Sequence, residues 1–177
     1  HCATSSHMSH VHVVPARSAP PFFVRVSRRA RRLLLPGVSV FLDVDNLDST
    51  DELERHIEQS QAVLVFLSKG YFFSENCLRE LDRAIALEKP LILVHEADLS
   101  RGGALLESIR SECASKRRMH VFEGGGDEER PVITWQRARE FQIVAMREIC
   151  AALLHAAPEY SGAGGSVVRG RFKIPSH

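Results

Sequence analysis

Three apolar runs divide the middle of the chain and predict the strands of a parallel sheet. They occupy residues 38–44, 62–68 and 90–95. Each run is nearly continuous rather than alternating, which is typical of strands that are buried on both faces. Helical patterns separate the runs, and this alternation predicts β-α-β crossovers in a doubly wound α/β sheet. Residues 11–14 are interpreted as the first strand and residues 119–122 as the fifth.

Polar residues mark the starts of two of the intervening helices. Ser49 and Glu52 form a capping box, and Ser74 is well suited to cap the helix that follows the second apolar run. Apolar residues predict the buried stripe of that helix at Leu78, Leu81, Ala84 and Ile85. Glu80 lies about 100° from this stripe. We therefore expect its carboxylate to be neither fully buried nor on the outer face, close to the sheet edge where open parallel sheets bind ligands.

The remaining patterns set the expected domain boundaries. A further helix is predicted over residues 22–35, a short one within residues 102–115 and the last one within residues 135–156. Residues 1–10 are interpreted as a tag or disordered segment, and residues 11–157 as one domain. The Gly- and Ser-rich residues 158–177 are expected to form a mobile tail.

Composition argues against several classes of protein. The chain has 177 residues and a formal net charge of +1, which suits one globular domain and argues against a dedicated nucleic-acid binder. No apolar run approaches the roughly 18 residues of a membrane span, and no secretion signal is recognisable, so we expect no membrane association. The four cysteines are far apart and predict free thiols in a reducing cytoplasm. Neither they nor the nine histidines have the spacing of a metal site.

Two segments resemble the TIR (Toll/interleukin-1 receptor) domain family. Residues 40–44, Val-Phe-Leu-Asp-Val, resemble its second-strand motif, and residues 74–81, Ser-Glu-Asn-Cys-Leu-Arg-Glu-Leu, resemble its S-x-W-C-x-x-E-L pattern. The resemblance covers most of residues 11–157 and is strongest to TIR-like domains of microbial eukaryotes. It implies a flavodoxin-like three-layer fold, with a five-stranded parallel sheet and helices on both faces.

The resemblance also implies an activity and a set of site residues. In this family the glutamate at the position of Glu80 is catalytic where members cleave NAD. The expected reaction converts NAD, as substrate rather than cofactor, to nicotinamide and ADP-ribose or cyclic ADP-ribose. The residues expected around the nucleotide are Arg17, Phe41, Asp43, Asn46, Leu47, Ser68, Tyr71, Ser74 and Asn76.

Assembly is part of the same expectation. Residues 45–51 correspond to the BB loop, which in this family mediates self-association and gates the nucleotide site. The chain is accordingly interpreted as a cytoplasmic signalling domain of the innate-immunity type. Its expected partners are NAD, further copies of itself and other TIR domains.

Departures from the family pattern leave alternatives open. Asn76 stands where the family has tryptophan, which removes a large apolar surface beside the substrate. The aromatic residues at positions 71–73 could replace that surface. Of the first-strand motif, only Arg17 is kept, and it could equally be a plain surface arginine.

Simpler interpretations exist for the other site residues. Glu80 could be a surface glutamate paired with Arg79 or Arg83, Ser74 could serve only as a cap, and Cys77 is best explained by core packing. Two functions without catalysis also remain open. One is a silent TIR adaptor that works only through homotypic contacts, and the other is a nucleotide- or phosphate-responsive regulator.

Overall fold

A parallel sheet lies at the centre of the protein in the computed structural model, which describes residues 9–15, 38–42, 50–124 and 129–156. Its strands are β1 (Ser9–Pro15), β2 (Val38–Leu42), β3 (Ala62–Leu67), β4 (Leu91–Glu96) and β5 (Val132–Trp135). They are ordered β2-β1-β3-β4-β5, and each neighbouring pair is parallel. This is the strand order of flavodoxin-like sheets. The predicted α/β class with a parallel sheet is confirmed.

Helices connect these strands. They are α1 (Thr50–Gln59), α2 (Glu75–Ala86), α3 (Leu106–Glu112), α4 (Ser115–Phe122) and α5 (Arg139–Ala156). Two short 3₁₀ turns, Tyr71–Phe73 and Leu99–Arg101, follow β3 and β4. The helices predicted within residues 102–115 and 135–156 are therefore confirmed. The helix predicted at residues 22–35 and the Ser49 cap lie outside the described residues.

The side chains of β3 divide the core into two clusters, because successive residues of a strand point to opposite faces of the sheet. Val63, Val65 and Leu67 pack with apolar residues of α1 to α4. Ala62, Leu64 and Phe66 pack with α5 on the other face. All six residues of β3 are buried, as the continuous apolar run predicts. Each large side chain buried in this way contributes about 1.5–3 kcal/mol of transfer free energy.

The position of the fifth strand was predicted incorrectly. Residues 119–122 end helix α4, whereas β5 is Val132–Trp135. Val121 and Phe122 are buried, so an apolar run was a correct sign of core residues there. A run of four cannot separate a strand from the buried end of a helix, and the β-branched residues of the later segment are better strand formers.

Candidate functional site

The loop after β3 carries most of the described candidate residues. Gly70 has a φ of 77°, a left-handed conformation that favours glycine, and it turns the chain from the strand into the 3₁₀ turn. Ser74 then caps α2, with its Oγ accepting from the Cys77 N–H at 3.5 Å. The capping role predicted for Ser74 is therefore confirmed, and the loop fixes where α2 begins.

Glu80 is fully buried, contrary to the expectation of a position at the flank of the helix. Only 1% of it is exposed, and it shares the inner face of α2 with Cys77, Leu81 and Ala84. The buried face of α2 is rotated about the helix axis from the predicted one, since Leu78 and Ile85, which were predicted to be buried, are only partly buried. The interpretation as a surface glutamate is also wrong, and Arg83 pairs with Glu58 instead.

Two hydroxyl groups near Glu80 in the sequence are buried without a hydrogen-bond partner among the described residues. They are Ser68 Oγ and Tyr71 Oη. Burial raises the pKa of the Tyr71 phenol well above its usual value, and the neighbouring Cys77, Glu80 and Cys113 raise that pKa further. A tyrosine phenol is protonated at neutral pH, so this hydroxyl is available as a hydrogen-bond donor. Buried groups left unsatisfied in a native structure are uncommon and call for an explanation such as a bound ligand or a catalytic role.

A cleft of about 410 Å³ opens beside the first turn of α2, and Gly70, Phe73, Ser74, Glu75 and Asn76 line it. The residue at the family's tryptophan position thus faces a cavity. Of the three aromatic residues considered as replacements, Tyr71 and Phe72 are buried, while Phe73 is 72% exposed. Phe73 is therefore the aromatic side chain that the fold presents to this cleft.

Contacts from helix α3 and from the β4–α3 loop hold the β3–α2 loop in place. The Gly70 N–H donates to both carboxylate oxygens of Glu112, at 3.0 and 3.3 Å. The Lys69 N–H donates to the Gly102 carbonyl oxygen at 3.0 Å. Glu112 could not be recognised as a site residue from the sequence, because no local pattern signals a contact across 42 positions.

A buried ion pair lies at the end of β4. Glu96 is 0% exposed, and its carboxylate accepts from Arg137 and, at 2.9 Å, from the Asp98 N–H. Next to it in the chain, His95 Nε2 lies 2.8 Å from the Ala104 carbonyl oxygen. The pair orders the β4–α3 loop, whose Gly102 supports the β3–α2 loop. In the sequence, this ion pair is indicated only by Glu96, an acidic residue directly after the apolar run at residues 90–95.

Several predicted site residues lie outside the described residues. They are Arg17, Asp43, Asn46 and Leu47. Phe41 is part of β2, and nothing is described of its side chain. The structure therefore brings together four of the predicted nucleotide-site residues, Ser68, Tyr71, Ser74 and Asn76, with Glu80, around one loop and the start of one helix.

The described part of the chain holds no group of three or more metal-ligating side chains. Within the same residues, no helix has both the length and the apolar character required to cross a membrane.

Comparison with known proteins assigns the family. The TIR domain family model matches residues 25–112, about half of the chain. The chain carries a TIR domain. The matched residues include the β3–α2 loop, the cleft and Glu80, so the candidate site lies within the TIR domain.

Two further comparisons complete this description of the TIR domain. A solved structure of the TIR domains in the activated Roq1 resistosome, which directly recognises the pathogen effector XopQ, is similar to this chain. The sequence identity is 18%, the match covers 82% of each chain, and the TM-score is 0.45. No curated protein matches this TIR domain significantly.

Proposed function

We propose that this TIR domain cleaves NAD at the nicotinamide–ribose bond, with Glu80 as the catalytic carboxylate. The observation that carries the proposal is the burial of the Glu80 carboxylate on the inner face of α2, together with the buried Tyr71 hydroxyl in the preceding turn, which has no partner among the described residues. Ser68, three residues before Tyr71, also has a buried hydroxyl without a partner among the described residues. Such a group of polar side chains stabilises the fold poorly and suits a site that receives polar atoms of a ligand.

The reaction needs little covalent chemistry from the protein. The bond between ribose C1′ and the pyridinium nitrogen breaks, and its electron pair leaves with neutral nicotinamide. Positive charge develops on C1′ and the ring oxygen, and the Glu80 carboxylate stabilises that charge. Water then adds at C1′ and loses a proton, which gives ADP-ribose. Attack by a ring nitrogen of the adenine instead of water gives the cyclic product.

The cleft beside α2 is the proposed place for the base or nicotinamide ring. Phe73 offers it an exposed aromatic face, in place of the tryptophan that Asn76 replaces. Stacking on an aromatic side chain contributes about 1–3 kcal/mol per base. Phe73→Ala is therefore expected to raise KM by about tenfold, with a smaller effect on kcat.

Self-association is the second part of the proposal. Glu80 is 1% exposed, so the residues that cover it must move before NAD reaches it. We propose that assembly in the cytoplasm produces this change and couples NAD cleavage to signalling. Two buried free thiols, Cys113 and Cys150, are compatible with that reducing compartment.

The test is NAD turnover over a range of protein concentrations. Wild-type protein is expected to show turnover per molecule that rises with concentration. Glu80→Gln keeps the side-chain volume and should lower kcat by about 10²–10³-fold. Asp82→Asn is the matched control, since it removes one charge from the same helix where the side chain is 48% exposed. Equal turnover in wild type and Glu80→Gln would refute the proposal.

A silent adaptor is the second candidate, and exposed apolar side chains on α5 favour it. Phe141 is 57% exposed and Val144 is 46% exposed, one turn apart on the helix. Homotypic contact through this face would bury them. Concentration-dependent sedimentation that Phe141→Ser abolishes, together with no NAD turnover at any concentration, would select the adaptor.

A further inference from the structure

Glu112 connects helix α3 to the loop of the proposed NAD site. It is the last residue of α3, and its carboxylate reaches across to the turn after β3. There it accepts the Gly70 N–H with both oxygens, at 3.0 and 3.3 Å. A carboxylate that accepts from a backbone N–H makes a stronger hydrogen bond than a neutral acceptor.

Gly70 lies where a change in its peptide orientation would alter the cleft. Gly70 has a left-handed φ of 77°, lines the cleft and immediately precedes Tyr71. Rotation of its peptide would displace the Tyr71 phenol and the cleft residues Phe73 and Ser74 together, since they belong to one short turn.

The β4–α3 loop also holds the β3–α2 loop, and it does so through a main-chain hydrogen bond. The Lys69 N–H donates to the Gly102 carbonyl oxygen at 3.0 Å, so it would persist in most substitutions. Glu112 thus joins α3 by direct hydrogen bonds to the turn that lines the cleft.

We propose that Glu112 is a positioning residue for NAD cleavage, acting through Gly70 on the loop that carries Tyr71 and Ser74. This inference rests on the proposed NAD cleavage at Glu80. Glu112 itself takes no part in the chemistry. Misplacement of reacting groups by about 1 Å can lower a rate by about 10²-fold. Loss of the hydrogen bond between Glu112 and Gly70 is therefore expected to lower kcat.

The experiment compares three variants of the full chain. Glu112→Ala removes the acceptor, and Glu112→Gln keeps one oxygen acceptor without the charge. Glu107→Ala is the matched control, because Glu107 is on the same helix, its side chain is 83% exposed and it lies near Arg110 rather than the loop. Each variant is measured for kcat and KM with NAD, and for backbone amide shifts in ¹⁵N–¹H spectra.

The expected pattern separates positioning from general stability. Glu112→Ala should lower kcat by about 10–100-fold and move the amide signals of Gly70 and the 3₁₀ turn. Glu112→Gln should restore much of both, and Glu107→Ala should match wild type. Wild-type kcat and loop amides in Glu112→Ala would overturn the inference, as would equal losses in the two alanine variants.

The two proposals fail in different ways. If wild-type protein does not cleave NAD at any concentration, the proposed function fails, whereas the amide spectra still decide whether Glu112 holds the loop. Unchanged loop amides in Glu112→Ala overturn the positioning role whatever the activity. If Glu112→Ala does not fold, Glu112→Asp carries the test, because it shortens the side chain by one methylene and draws the carboxylate away from the Gly70 N–H. A shifted Gly70 amide together with a lower kcat is then the supporting result, and a wild-type Gly70 amide and kcat are the refuting result.

Discussion

Replacing Tyr71 with phenylalanine should stabilise the protein and impair its activity. Tyr71 is 0% exposed, and its hydroxyl has no partner among the described residues. A hydroxyl buried without a hydrogen bond costs about 1–3 kcal/mol in proteins. Tyr71→Phe removes that oxygen and retains the ring, including its edge-on contact with Phe72 at a centroid distance of 5.1 Å.

The free energy of unfolding should therefore rise by about 1–2 kcal/mol, since a small void offsets part of the gain. For a chain of this length, each kcal/mol corresponds to about 2–4 °C in Tm. Turnover should change in the opposite direction. The phenol is protonated at neutral pH, so it can donate to a ligand oxygen, and losing a hydrogen bond of this kind should lower kcat/KM by about tenfold.

Urea unfolding and NAD turnover on the same preparations would test both halves. Ser68→Ala is the companion variant, because Ser68 Oγ is the other buried hydroxyl without a partner among the described residues. We expect it to be neutral or stabilising as well. A loss of more than about 1 kcal/mol in Tyr71→Phe would refute the reasoning, since it would mean that the hydroxyl is satisfied in the folded protein.

Three further substitutions test the supports of the site. Arg137→Met leaves the buried Glu96 carboxylate without its ion-pair partner and should destabilise the fold by about 3 kcal/mol in urea unfolding, with part of the loss recovered by adding Glu96→Gln. Gly103→Ala would place a Cβ atom 2.5 Å from the Glu96 carbonyl oxygen, so it should cost about 1–3 kcal/mol and lower Tm; an unchanged Tm would contradict that packing. Hydrogen bonds from Arg117 lower the pKa of Asp82 below 3.8, so the pair stabilises the fold above that pH and is lost as pH falls through the lower folded value. The Asp82 side chain is 48% exposed, so Arg117→Met should reduce the stability difference between pH 7 and pH 3 by only about 0.5–1 kcal/mol, and an unchanged difference would contradict this assignment.

Strand positions could be predicted from sequence where burial on both faces leaves a long apolar run. The runs at residues 62–68 and 90–95 gave β3 and β4 to within one residue at each end. The prediction failed at residues 119–122, because a segment of only four residues fits the two-residue repeat of a strand and the 3.6-residue repeat of a helix equally well. β5 itself is short, and Thr134 is exposed, so it lacks the continuous pattern of the central strands.

The candidate site could be predicted only as far as local motifs reach. Ser74 was correctly placed as a cap, since capping depends on a few neighbouring residues. The burial of Glu80 depends on which face of α2 meets the sheet, and an error of one residue in the stripe rotates that face by about 100°. Contacts such as Glu112 with Gly70 span 42 positions and follow from the packing of whole elements, so no sequence window contains them.

The energetics of this core bear on the choice between enzyme and adaptor. A domain that works only through surface contacts gains nothing from two hydroxyls buried without a partner among the described residues, and apolar replacements of similar shape would stabilise it. Arg137 and Glu112 likewise fix loops at the C-terminal ends of the strands, the edge at which parallel sheets bind ligands. A silent adaptor would need no such precision at that edge. If Tyr71→Phe is more stable and less active, the phenol is retained for its chemistry, whereas a more stable variant with full self-association and no activity to lose would favour the adaptor.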